Sequence, residues 1–263
     1  MSDTKFRDKV VVIAGGAKNL GGLLTSHFLE QGARVLVHYH SDSSREDAEK
    51  TVNLGSNLDG EAAAVQADLT KPAQVKKLFD EAENRFGPVD IAINTTGMVL
   101  RKPIAEIDED EYDSMFDINA KAAFFFIQQA GKRLKDHGKI ISIGTSLQAA
   151  FTDGYSTYAG AKAPLEHFTR AAAKELADRQ ISVNVVAPGP MDTPFFYPQE
   201  TPERVDFHKS QAMGNSSRRS RILHRSSSSF LQMALGSPAR RCSPTAATPR
   251  ASLVRTALST QAR

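Results

Sequence analysis

Short apolar runs alternate with amphipathic stretches from residue 9 to residue 187, and this alternation constrains the fold more than any other feature of the chain. Lys9–Ala14 reads KVVVIA and stops at glycines. Leu20–Gln31 has helical spacing, Arg34–Tyr39 is apolar again, and Ser44–Leu54 reads as a helix. The pattern continues with strands at Ala62–Gln66, Asp90–Asn94, Lys139–Ile143 and Ser182–Ala187. Helical stretches are expected at Ala73–Phe86, at Glu109–Leu134 in two parts, and as one long helix over Tyr155–Arg179. Runs that are apolar throughout suit strands buried on both faces. Strict β/α alternation then predicts a parallel sheet with helices on both sides, a Rossmann-type doubly wound α/β fold in a single domain.

Ligands in such sheets bind beyond the carboxyl ends of the strands. The first strand–helix turn there is Gly15-Gly16-Ala17-Lys18-Asn19-Leu20-Gly21-Gly22. Glycines let the backbone approach a pyrophosphate, and the following helix N-terminus offers N–H groups and positive dipole charge. NAD sites place an acid after the second strand to bind the ribose 2′-hydroxyl. Here that strand ends Val37-His38-Tyr39-His40-Ser41, with no acid before Asp42. Lys18, His40 and Ser41 suit a 2′-phosphate instead, so NADP(H) is favoured over NAD(H). Asp68-Leu69 follows the third strand, where Asp68 is open to two roles: contact with the adenine or capping of the next helix.

Tyr158 and Lys162 stand four residues apart on the long helix and share a face. An ammonium beside a phenol favours the phenolate and lowers a reference pKa of about 10. Tyr158 is thus a candidate acid/base for a carbonyl–alcohol pair.

Taken in order, these pieces resemble the short-chain dehydrogenase/reductase family over roughly residues 5–214. They are the Gly15–Gly21 turn, Asp68-Leu69, Asn94-Thr95-Thr96-Gly97, Asn119, Ser142–Ser146, Tyr158-x-x-x-Lys162 and Pro188-Gly189-x-x-x-Thr193. The resemblance implies a proton donor/acceptor at Tyr158, and at Lys162 a nicotinamide-ribose ligand that lowers the Tyr158 pKa. It implies that Asn119 holds a water in a proton relay, as against a structural role bonding the helix it interrupts. Asn94 and Gly97 would line the cofactor, and Pro188, Gly189 and Thr193 would cover the nicotinamide. The family's middle glycine is Asn19 here, a residue that tolerates left-handed backbone, and its leading threonine is Ala14. The family's catalytic serine lies at the position of Thr145, with Ser146 next to it. Thr145 is preferred by spacing and Ser146 stays open. Met98–Pro103, Gln148–Asp153 and Pro194–Gln211 are expected to shape the substrate pocket, with Phe151, Phe195, Phe196 and Tyr197 as apolar walls.

The last segment does not match. Asn215–Arg263 holds 9 Arg, 11 Ser and no Lys, Asp or Glu, which leaves 24 basic against 30 acidic groups in residues 1–214. The net charge of +3 is therefore a body of −6 joined to a tail of +9. Codons allowed for Asn215–Phe230, read from the last base of the first codon, can spell QLTKIEDIAPIIKFL, and Pro238–Ala251 likewise permits GQAMFADGGYTTR. That is a family-like ending of helix, strand and Gly-Gly turn. The expectation is a dinucleotide-binding catalytic domain at 1–214 followed by a Ser/Arg-rich tail at 215–263, disordered or mispacked, that is translated out of frame and replaces the family's last helix and strand. The 40% hydrophobic composition supports a full core, and no run approaches membrane-spanning length. The lone Cys242 excludes a disulfide framework and a cysteine zinc site, and no metal is expected. The expected protein is a cytoplasmic oxidoreductase moving a hydride between NADP(H) and a small carbonyl or alcohol. Membrane and nucleic acid are not expected partners, and the family implies a homo-oligomer commonly built through the segments this tail replaces. Rival readings are a dinucleotide-binding protein impaired by its altered ending and an RNA-associated protein acting through the Arg/Ser tail.

Overall fold

The computed structural model describes residues 5–55, 58–150, 152–191 and 193–211. Its strands are β1 (Val10–Ala14), β2 (Arg34–Tyr39), β3 (Glu61–Gln66), β4 (Ile91–Asn94), β5 (Lys139–Ile143) and β6 (Ser182–Val186). They form one parallel sheet in the order β3-β2-β1-β4-β5-β6. The helices are α1 (Asn19–Glu30), α2 (Arg45–Gly55), α3 (Pro72–Phe86), α4 (Glu109–Phe116), α5 (Ala122–Arg133), α6 (Ser156–Lys162), α7 (Pro164–Glu175) and α8 (Pro202–Gln211). The doubly wound sheet expected from the alternation is present, and its order reverses between β1 and β4, where a ligand crevice opens. The expected tail lies outside the described residues.

Period-two burial on the strands divides the core. Val10, Val12 and Ala14 belong to one core cluster with Phe79 of α3 and Phe126 and Ala130 of α5, against which Phe168 of α7 packs. Val11 and Ile13 face the other way, onto Leu24, Phe28 and Ala48 of α1 and α2. Every side chain of β1 is buried, as fits a strand covered on both sides. At the opposite end of the sheet from the crevice, Asp90 accepts from the Val10 N–H at 2.9 Å and pairs with Lys9 and Lys135. These partners hold its carboxyl below the usual range against the opposing effect of burial.

One helix differs from the sequence expectation. The long helix at 155–179 is interrupted at Ala163, because Pro164 has no N–H to continue the ladder, so α7 begins there. The two stretches expected at 109–134 are present as α4 and α5, joined by a π-turn, Asp117–Lys121. A helix at the end of the pocket-shaping segment, α8, was not anticipated.

Candidate active site

The crevice is floored by the turn after β1. Asn19 takes a positive φ of 52° and Gly15 one of 73°, so asparagine does stand in for the family's glycine. The turn is held from inside by groups that local spacing does not reveal. The Thr95 hydroxyl donates to the Ala14 and Gly15 carbonyls at 2.8 and 3.2 Å. Thr25 donates to Gly16 O and Thr51 to Ala17 O, at 3.0 and 2.8 Å. A Cβ on Gly21 would lie 2.0 Å from the Gly15 carbonyl oxygen. This glycine cradle at the start of α1 fits a dinucleotide diphosphate.

At the rim, the exposed Lys18 reaches across to the β2–α2 turn, with Nζ 3.2 Å from Ser44 Oγ and 3.9 Å from Asp47. Ser41 Oγ lies 2.8 Å from Ser43 Oγ, and His40 is exposed beside them. Ser44 and Ser43 belong to this cluster as much as Ser41 does, and the missing-acid argument had no means to single them out. Asp68 does not cap α3, whose N-cap is Lys71. Its Oδ1 accepts instead from Thr70 N and Thr70 Oγ1, at 3.0 and 2.7 Å. The Leu69 side chain is fully buried in the core, so only its backbone can face a ligand.

Beyond β4 and β5 the chemical groups meet. Asn94 Oδ1 accepts from Thr96 N and Thr96 Oγ1, at 3.0 and 2.6 Å, which turns the chain toward Gly97. The π-turn carries Asn119 inward, where it is 0% exposed. Its Nδ2 donates to Met98 O and Met115 O at 2.9 and 3.0 Å, and its Oδ1 accepts from Met98 N at 3.3 Å. Asn119 therefore ties the β4 loop to the helix it interrupts. Lys162 is buried, with Nζ 2.9 Å from Ile143 O and 3.3 Å from Thr96 O, and burial pulls its pKa down to about 8.

Tyr158 is almost fully buried, as is Thr145. Burial pushes the phenol up and the Thr145 hydroxyl pulls it back, with the net direction upward. The lysine-lowered phenol expected from spacing is thus not the balance found among these side chains, where burial dominates. Thr145, not Ser146, meets Tyr158: the Ser146 Oγ lies toward Gly189, and the Ser146 N–H donates to Pro188 O at 3.0 Å. Thr193 is buried in the strap that follows.

Met115, Tyr155 and Tyr158 form an apolar cluster with Val99, Leu100 and Leu147. Of the expected aromatic walls, Phe196 and Tyr197 stack edge to face at 5.6 Å, Phe195 is exposed, and Phe151 lies outside the described residues. The strap is tied down by polar contacts. The Tyr155 hydroxyl donates to Glu200 at 2.5 Å, Arg101 N donates to Gln199 Oε1 at 3.1 Å, and Arg204 pairs with Asp153 at 2.6 Å. Burial and Glu200 push the Tyr155 phenol up, so it is no rival base. Among the described residues no cluster of His, Cys, Asp and Glu could hold a metal ion, and no helix is long and apolar enough to cross a membrane.

Comparison with known proteins agrees with this geometry. The family model described as Enoyl-(Acyl carrier protein) reductase matches residues 15–222. A short-chain type dehydrogenase/reductase from Picea abies is 34% identical over 206 residues, 75% of this chain and 76% of that protein. An NADPH-dependent aldehyde reductase-like protein, chloroplastic, from Arabidopsis thaliana is 34% identical, covering 75% of this chain and 78% of its own. The crystal structure of a putative dehydrogenase from Burkholderia cenocepacia with bound NADP superposes with a TM-score of 0.79 at 55% identity, over 81% of this chain and 82% of that one.

Proposed function

Because the chain belongs to the short-chain dehydrogenase/reductase family and is therefore an oxidoreductase, we propose that it interconverts a small carbonyl compound and its alcohol with NADP(H). The observation that carries this reading is the burial of Tyr158, Thr145 and Lys162 together beyond β5, with Lys162 one turn along α6 from Tyr158 and its Nζ 2.9 Å from Ile143 O. The glycine turn at 15–21, the helix α1 N-terminus, Asn94, Gly97, Pro188, Gly189 and Thr193 would hold the cofactor. Lys18, His40 and Ser41, joined by Ser43 and Ser44, would meet a 2′-phosphate. The NADP-bound neighbour and the NADPH-dependent relative support that choice over NAD(H).

When bound, the cofactor supplies or accepts the hydride. The residues do the rest. Thr145 donates a hydrogen bond to the substrate oxygen. Tyr158, kept protonated by burial, delivers its proton to that oxygen as the carbonyl carbon is reduced, and takes it back in the reverse direction. Lys162 provides positive charge beneath the phenol and the donor expected on the nicotinamide ribose. Asn119 holds the β4 loop at the distance the relay needs. The apolar cluster around Tyr155 and Leu100 excludes water and favours an apolar substrate. A single catalytic domain over residues 1–214, working in the cytoplasm, belongs to the same reading.

The test is a carbonyl panel with NADPH and NADH. Tyr158→Phe is expected to keep NADPH binding and lose turnover by roughly two orders of magnitude or more. Lys18→Ala is expected to weaken NADPH binding and leave NADH binding unchanged. Turnover that survives in Tyr158→Phe, or no binding of either dinucleotide, would refute the proposal.

A further inference from the structure

His38 lies inside β2, two residues before the 2′-phosphate cluster, and is 2% exposed. Its ring has two partners on two different segments. Nδ1 is 3.0 Å from the Gly15 N–H, the first amide of the glycine turn. Nε2 is 2.9 Å from the carbonyl of Ala67, the residue before Asp68. A backbone N–H can only donate and a carbonyl can only accept, so the tautomer is determined: Nδ1 is bare and Nε2 carries the hydrogen. A second proton would have to sit on Nδ1, against the Gly15 N–H. Burial opposes that charge as well and pulls the pKa to about 4.

We infer that neutral His38 is a positioning residue for the cofactor, a rigid spacer that sets the separation between the diphosphate turn and the adenine-side segment at Ala67-Asp68. This rests on the dinucleotide reading of the Gly15–Gly21 turn. The geometry calls for such a spacer. Gly15 has a left-handed φ, and Thr95 restrains its carbonyl from the β4 side. His38 is the group that restrains its N–H from the β2 side. Without it, the Gly15 peptide can rotate and the two binding segments are no longer coupled through one planar ring. No single replacement makes both bonds. His38→Asn keeps an acceptor near the Nδ1 position, His38→Gln keeps a donor near the Nε2 position, and His38→Leu keeps neither.

The experiment uses the full chain and three readouts. Nitrogen-15 shifts of the His38 ring in the free protein report the tautomer without any ligand; protonated Nδ1 at neutral pH would overturn the inference. NADPH titration is then run on wild type, the three His38 variants and Val183→Ala, a core substitution in β6, at the opposite edge of the sheet from β2 and β3. Each single-bond variant is expected to raise the NADPH Kd by about tenfold, and His38→Leu by more, with kcat at saturating NADPH little changed. Val183→Ala should lower the melting temperature with no change in Kd. Wild-type affinity in His38→Leu, or equal loss of affinity in a Val183→Ala protein of matched stability, would overturn the positioning role. Failure of wild type to bind any dinucleotide would instead overturn the cofactor reading on which the role rests, while leaving the tautomer result intact.

Discussion

Replacing Gly97 with alanine probes the centre of the site with one carbon. The added Cβ would stand 2.7 Å from Asn119 Oδ1 and 3.0 Å from Lys162 Nζ. Ordinary contact begins at 3.4 Å, so Asn119 must retreat by about 0.7 Å. It has little room to do so. Its amide is fastened to Met98 O and Met115 O, and the Met98 N–H bond at 3.3 Å is already long. The displacement passes to Lys162, whose Nζ would leave Ile143 O or Thr96 O. Overpacking of this kind costs about 1–3 kcal/mol of stability. A shift of catalytic groups toward 1 Å costs on the order of 100-fold in rate. The matched control is Gly160→Ala, in α6 between Tyr158 and Lys162, where the nearest atom is Phe116 Cζ at 3.8 Å. That variant should gain about 0.5–1 kcal/mol from helix propensity and keep its activity. Urea melts and kcat/KM on the responsive carbonyl compound measure both. Near wild-type kcat/KM in Gly97→Ala with an undisturbed melt would show that Asn119 and Lys162 do not need their present separation.

Four further outcomes are expected. Gly21→Ala should abolish dinucleotide binding by titration, since its Cβ meets the Gly15 carbonyl at 2.0 Å; retained affinity would remove the cradle from the cofactor site. Burial pulls the pKa of folded His38 to about 4 from its ordinary value of 6.5. The unfolded chain therefore binds the extra proton between those values, and stability present above pH 6.5 is lost as pH falls toward 4, by roughly 3 kcal/mol. Urea midpoints from pH 7 to 4 should show that slope in wild type and lack it in His38→Leu. The kcat/KM for the cofactor, which reports free-enzyme groups, should fall as pH rises through about 8, where Lys162 loses its charge; a profile flat to pH 10 would refute that assignment. Sequencing the transcript should show the adjacent-frame helix and strand ending for residues after Asn215; a transcript that encodes the Ser/Arg tail with no such ending in an adjacent frame would refute the frame reading.

The alternation from Lys9 to Ala187 was enough to place all six strands, because strands covered on both faces read as near-continuous apolar runs, and the half-buried edge strand β3 still keeps its small apolar residues. The glycine turn and the Tyr158–Lys162 pair were legible for the same kind of reason: a tight turn needs glycine or asparagine, and residues four apart on a helix share a face. These are rules about neighbours in the chain. The choice between Thr145 and Ser146 was not of that kind. Adjacent residues after a strand end point in different directions, and only the packing of α6 against the turn after β5 sets the Thr145 hydroxyl beside Tyr158 while Ser146 turns toward Gly189.

The same division explains what spacing missed. Thr95 holds Ala14 from 81 residues away, Thr51 holds Ala17 from 34 residues away, and His38 reaches Gly15 across the β1–β2 pairing. Nothing local marks any of them, since each is an ordinary residue until the sheet registers its strands. By itself the sequence determined the doubly wound sheet, the turn that can receive a diphosphate and the helix that carries the phenol and the ammonium, all consequences of short-range periodicity and backbone sterics. The tertiary structure alone decided which hydroxyl lies beside the phenol, that burial rather than Lys162 dominates the free Tyr158, and which interior side chains hold the turn, because hydrogen bonds and desolvation depend on distances that chain spacing does not encode.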